Sequence, residues 1–241
     1  VVGKYTDLIE SYKSLDEALR HGAIQNQVKL NMIYIDAEDL EAGSIEQLKG
    51  VDGILVPGGF GERASEGKIA AIQFARENKV PFFGICLGMQ LALVEFARNV
   101  AEIKNATSME FSKKGEFVVH YMEGQSEDVS KGGSMRLGAY DCSLEKGSLA
   151  NKIYGKSKIS ERHRHRLEVN NKYKDQMKKS GMVFSGINTK LDLVEVIELT
   201  DHPYFIACQY HPEFKSRPFN PHPLFKTFVA ASREKKEKND N

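Results

Sequence analysis

Two short clusters in this sequence combine residue types that could break an amide or acyl bond. The first is Gly84-Ile85-Cys86-Leu87-Gly88, a thiol between two glycines where the apolar run VPFFGIC meets the amphipathic run LGMQLALVEFARN. A residue at such a strand-to-helix junction is forced into a tight turn, and glycines two before and two after it let neighbouring backbone approach. The turn exposes the sulfur at the carboxyl end of the sheet, where the helix's positive end favours thiolate. It also offers the amide of Leu87 to a developing oxyanion.

The second cluster is His211-Pro212-Glu213, at the end of the apolar run YFIACQY. A thiol nucleophile needs an imidazole to take and return a proton, and that imidazole needs a carboxylate to fix its tautomer. Together the clusters supply nucleophile, base and orienter. Cys142 and Cys208 lack flanking glycines and read as small buried hydrophobes. His21, His120, His202 and His222 have no comparable neighbour and read as surface or turn residues.

These residues need elements to hold them. LNMIYID (30–36), DGILVPGG (52–59) and VPFFGIC (80–86) are nearly free of charge, as parallel strands covered on both faces would be. Segments 11–25 and 65–79 carry apolar residues at helical spacing, among them Ile69, Ile72, Phe74 and Ala75. This alternation predicts βαβ units and an α/β fold: an open, mostly parallel sheet with helices on both faces.

After residue 100 the rhythm changes to strands separated by polar turns, with antiparallel or mixed pairing. One short helix is expected there, over 171–181, and one strand over KISERHRHRLEVN (158–170). Residues 1–232 read as one domain, and 233–241 as a charged tail expected to be disordered. The opening VVGKY resembles the inside of a strand, as in a fragment of a longer chain.

Composition narrows the function classes. Lys plus Arg number 34 against 33 Asp plus Glu, so no basic excess points to nucleic acid. Three cysteines without a CxxC pair argue against a disulfide framework and a zinc ribbon, and fit a reducing cytoplasm. No apolar run reaches the roughly 18 residues of a membrane span. VPGGFG is not a phosphate loop, because the spacing to Gly67-Lys68 is wrong and Ile69 stands where Ser or Thr would bind magnesium.

RHRHR (162–166), if extended, puts Arg162, Arg164 and Arg166 on one face and His163 and His165 on the other. The histidine pair lacks further metal ligands at suitable spacing, and the arginines lack interleaved aromatics.

GICLGMQ, VPGGFG and QYHPEF together resemble the class I glutamine amidotransferases. GGSMRLG (132–138), ERHRHRLEVN (161–170) and YHPEFKSRP (210–218) look like the glutaminase domains of CTP synthases. The resemblance implies a Cys86-His211-Glu213 triad that releases ammonia from L-glutamine, with the oxyanion held by the amides of Gly59 and Leu87. It places glutamine against Gly59, Leu87, Gly88, Met89, Gln90, Glu110, Arg166 and the backbone of Leu167. Leu167 departs from the family, which usually has an aromatic residue there.

The resemblance also implies an absent amidoligase domain that uses ATP, UTP and Mg, with no cofactor or metal in this piece. It implies tetramers built through that other domain, this piece alone being monomeric. GTP would act as an activator near Phe60 and Arg136, beside a flexible lid at MEGQSEDVSKGG (122–133). Two alternatives stay open: a catalytically silent docking domain, or the glutaminase half of another biosynthetic amidotransferase.

Overall fold

Each apolar run and each amphipathic segment of the first hundred residues contributes an element to the computed structural model, which describes residues 1–4, 12–121 and 135–239. Strands β1 (Val2–Gly3), β2 (Ile35–Asp36), β3 (Ile54–Val56) and β4 (Phe82–Ile85) alternate with helices α1 (Lys13–Asn26), α2 (Ala37–Glu41) and α3 (Ser65–Glu77). Strand β4 feeds directly into helix α4 (Leu87–Asn99). The second half adds β5 (Ala106–Ser108), β6 (Glu116–Tyr121), β7 (Arg136–Leu144), β8 (Lys158–His165) and β9 (Leu167–Val169). Helix α5 (Leu149–Tyr154) sits between β7 and β8, and α6 (Lys174–Lys179) follows β9. Strands β10 (Met182–Asn188), β11 (Leu193–Leu199) and β12 (Phe205–Cys208) then lead to helix α7 (Pro223–Asn239).

The main sheet has seven strands in the order β3-β4-β12-β11-β10-β7-β8. It is mixed: β3, β4 and β12 run parallel, and the ladders from β12 out to β8 are antiparallel. Strand β12 therefore joins the two halves by inserting beside β4, with Cys208 opposite Ile85. A three-stranded sheet, β5-β6-β9, and a parallel pair, β1-β2, stand apart from it.

Both faces of the parallel region are covered, which is why its strands carry no charge. Phe82 and Phe205 face α3 and α4, their rings 4.5 Å apart. The next residue on β4, Phe83, points the other way and meets Phe225 of α7 at 5.2 Å. Each fully buried aromatic of this kind contributes about 1.5–3 kcal/mol through removal from water.

The structure differs from the sequence-based expectations at several places. Of LNMIYID only Ile35–Asp36 pairs in a sheet. Upstream of it Leu30, Met32 and Tyr34 rest against the cluster of α1 and α7, while Lys29, Asn31 and Ile33 face solvent. KISERHRHRLEVN forms two strands: β8 pairs with β7, the chain switches sheets at Arg166, and β9 pairs with β6.

A second short helix, α5, follows residue 100. Ser148 caps it by accepting from the amide of Asn151, Glu198 accepts from the amides of Leu149 and Ala150, and Gly155 closes it in the left-handed conformation. Helix α7 runs on to Asn239, so residues 233–239 are helical rather than disordered, with Arg233 and Glu237 paired at 3.4 Å. The segment 122–133 lies outside the described residues, and among the described residues no helix is long and apolar enough to cross a membrane.

Candidate active site

The parallel pairing of β4 and β12 brings the two sequence clusters together. Both strands end at the same edge of the sheet, and the amide of Cys86 donates to the carbonyl of Cys208 at 2.7 Å. One chain then enters α4, while the other runs through Gln209 and Tyr210 to His211. Cys86 sits at φ 52° and ψ −101°, a strained backbone conformation for a residue with a side chain. Its carbonyl accepts from the amides of Met89 and Gln90, which begins the helix at once.

Packing explains the glycines. A Cβ on Gly88 would lie 2.1 Å from the carbonyl oxygen of Val56, so only glycine lets α4 start this close to β3. A Cβ on Gly58 would lie 2.8 Å from Cε1 of His211, so the turn after β3 closes directly on the imidazole. Gly59, next along, stands against the side chain of Leu87.

His211 Nδ1 is 2.7 Å from Oε1 of Glu213, and its own amide donates to the carbonyl of Arg162 at 2.8 Å. A carboxylate can only accept, so Nδ1 carries the proton of that bond and Nε2 takes no part in it. Nε2 is buried on the side of Cys86. Burial by itself would lower this imidazole, but Cys86 and Glu213 beside it push it up to about 10. Burial pushes the Cys142 and Cys208 thiols up, so both are poor nucleophiles and act as core residues.

Cys86, His211 and Glu213 line a cavity of about 280 Å³ with Pro57, Gly58, Gly59, Phe60, Arg164 and Phe214. Tyr12, Ser14, Leu15 and Ile85 complete the wall. The other expected substrate residues lie beyond that wall. Gln90 is buried, its amide nitrogen directed at Leu167 O (3.3 Å) and Gln209 Oε1 (3.2 Å). Glu110 accepts from the amide of Gly61 at 2.7 Å, at the far end of the loop that carries Gly59. The Arg166 guanidinium lies 5.9 Å from the ring centre of Tyr121, and Met89 is wholly within the core.

Beneath the cysteine lies a buried polar group that the sequence reading left unassigned. The burial of β8 alternates strictly, with Glu161, His163 and His165 inward and Arg162 and Arg164 outward. His165 Nδ1 donates to Leu167 O at 3.0 Å, so its Nε2 accepts from His163 Nδ1 at 2.8 Å. Burial and the Arg136 charge hold both imidazoles low, at about 2 for His163 and about 3 for His165, so both are neutral. Burial raises Glu168 to about 8 despite the Arg136 guanidinium beside it.

Arg136 corrects an expectation. It is 5% exposed and donates to Glu168 at 3.1 Å and Glu195 at 2.7 Å, on the inward phase of β7. It is not the solvent-facing loop arginine that an effector contact requires, whereas Phe60 is exposed at the mouth of the cavity.

Three of the four histidines read as surface residues are also buried, because each finds partners inside. His202 Nε2 is 3.0 Å from Ala75 O, His21 Nδ1 is 3.1 Å from Ser216 Oγ, and His222 Nε2 is 3.1 Å from Glu161 Oε1. His120 is half-buried on β6. Period-two alternation in KISERHRH was the available signal for the buried polar face of β8.

A cysteine on a strand-to-helix elbow, faced by a carboxylate-held histidine from the adjacent parallel strand, accords with the family comparison. The model of the class I glutamine amidotransferases matches residues 7–231. The chain belongs to that family. A CTP synthase of Geotalea uraniireducens is 57% identical over 234 residues, 96% of this chain and 44% of that protein. One of Bdellovibrio bacteriovorus is 57% identical over 241 residues, 98% of this chain and 45% of that protein.

The glutaminase domain of Trypanosoma brucei CTP synthase, solved with bound acivicin, superimposes with a TM-score of 0.91 at 40% identity. That match covers 97% of this chain and 92% of the solved one, so this amidotransferase belongs with the CTP synthase glutaminase domains. It spans less than half the length of the two bacterial relatives.

Proposed function

We propose that this amidotransferase hydrolyses L-glutamine through Cys86, His211 and Glu213, and passes the ammonia to a synthase domain that aminates UTP to CTP. The observation that carries the reading is the 2.7 Å contact between His211 Nδ1 and Glu213 Oε1, which leaves Nε2 free beside a cysteine held in a strained elbow.

In this reading the Cys86 sulfur attacks the carboxamide carbon of glutamine. The amides of Leu87 and Gly59 receive the oxyanion, since the first amides of a helix have no partner within it. His211 gives its proton to the leaving nitrogen, and the carbon–nitrogen bond breaks to leave a glutamyl thioester and ammonia. His211 then takes a proton from water, whose oxygen attacks the thioester and returns the thiol with glutamate.

Glu110 and Arg166 would hold the α-amino and α-carboxylate groups, a pairing of opposite charges. Glu110 braces the loop that carries Gly59, and Arg166 comes two residues after Arg164, whose carbonyl lies 4.0 Å from the Cys86 sulfur. ATP, UTP and Mg would serve the synthase domain, as the resemblance to CTP synthases implies. GTP contact would fall to Phe60 rather than to Arg136.

Ammonia release from glutamine tests the proposal. The chain should produce ammonia and glutamate in equal amounts, and Cys86→Ala should produce neither. Release that survives Cys86→Ala would refute the nucleophile.

A further inference from the structure

Strand β8 is the outer edge of the main sheet, and its backbone on that side meets the catalytic cluster at three successive alternate residues. Ser160 O accepts from Lys215 Nζ at 2.7 Å, Arg162 O accepts from the His211 amide at 2.8 Å, and Arg164 O lies 4.0 Å from Cys86 Sγ. The edge of one strand thus touches the nucleophile, the base and the end of the short turn Pro212–Lys215 that carries Glu213.

Between those carbonyls, on the buried face, sits Glu161, 2% exposed. Its Oε2 is 3.1 Å from Lys215 Nζ, and its Oε1 accepts from His222 at 3.1 Å and from Tyr154 at 3.3 Å. Nδ1 of His222 accepts from the amide of Leu224, so Nε2–H donates to Glu161. Burial would raise the Glu161 carboxyl, but His222 and Lys215 outweigh it and hold it below the usual carboxylate range.

Lys215 and His222 bracket the segment that follows the triad carboxylate, and one buried anion holds both. Without it, the ties from the turn of Glu213 to β8 among the described residues come down to the His211 amide, the Ser160 carbonyl and the Arg162 guanidinium 5.9 Å from the Phe214 ring centre. Building on the glutaminase reading above, we infer that Glu161 is a positioning residue for hydrolysis, fixing Glu213 against His211 through Lys215 and His222.

Steady-state ammonia release from glutamine tests this with a double-mutant cycle. Glu161→Gln and Lys215→Met should each lower kcat about tenfold while KM changes less than about twofold, the cost of a misplaced base rather than a lost substrate contact. In a Glu213→Gln background either change should cost less than about twofold, because the carboxylate it acts through is already gone.

Costs that multiply in full with that of Glu213→Gln, or a KM rise at unchanged kcat, would overturn the inference. If Glu161→Gln does not fold, Lys215→Met decides, since the Lys215 side chain is 45% exposed. Cys86→Ala, run alongside, tests the nucleophile separately, so failure of the glutaminase reading is distinguishable from failure of the positioning role.

Discussion

The amide of Cys86 donates to the carbonyl of Cys208 at 2.7 Å, joining the ends of the two parallel strands that lead to Cys86 and to His211. Their sequence separation is large, yet the sheet register fixes their distance. Active-site geometry therefore depends on core packing along β4 and β12.

Phe83→Ala tests that dependence. Phe83 is fully buried on β4 against Phe225 and Phe228, so the truncation should cost about 3–5 kcal/mol in urea unfolding. A cost below about 1 kcal/mol would mean that this face is not the core described above.

Gly58→Ala separates packing from chemistry. The added methyl would meet His211 Cε1 at 2.8 Å, pushing the imidazole away from Cys86. Ammonia release should fall at least about tenfold while the melting temperature shifts by only a few degrees. Full activity would show that the imidazole position is not critical.

Glu213→Gln keeps the size of the side chain and removes its charge. The turnover number should drop about 100-fold or more, because the imidazolium loses its stabilising anion and its tautomer is no longer fixed. A comparable rate would remove Glu213 from the mechanism.

The pH dependence of stability follows from the raised imidazole. His211 moves from an ordinary value of 6.5 up to about 10, so the folded state binds its proton more tightly than the unfolded state. The resulting stabilisation is fully present below pH 6.5 and is lost as pH rises toward 10. Melting temperatures of the native chain and of His211→Gln should therefore converge over that window, and a constant gap would contradict the assignment.

The elbow and the His-Pro-Glu turn were legible in sequence because their chemistry is local: glycine spacing, a strand end, a carboxylate two residues away. The strands VPFFGIC and YFIACQ were legible for the same reason, as short charge-free runs. Their adjacency was not, since nothing in 80–86 or 204–209 states that the two pair.

Arg136 shows the opposite failure. Its place beside the expected lid at 122–133 suggested an accessible arginine, whereas its fate was set by Glu168 and Glu195, which reach it from two other strands. His222 was misread likewise, because its partner Glu161 is far off in sequence. Burial of polar residues depends on long-range pairs, and alternation along β8 was the one local trace of them.

The most direct test of the central claim is intact-mass spectrometry after exposure to 6-diazo-5-oxo-norleucine, a glutamine-mimicking electrophile. The account predicts one adduct, on Cys86, absent in Cys86→Ala and suppressed by glutamine. An adduct on Cys142 or Cys208, or no adduct while Cys86 still reacts with a general thiol reagent, would contradict it.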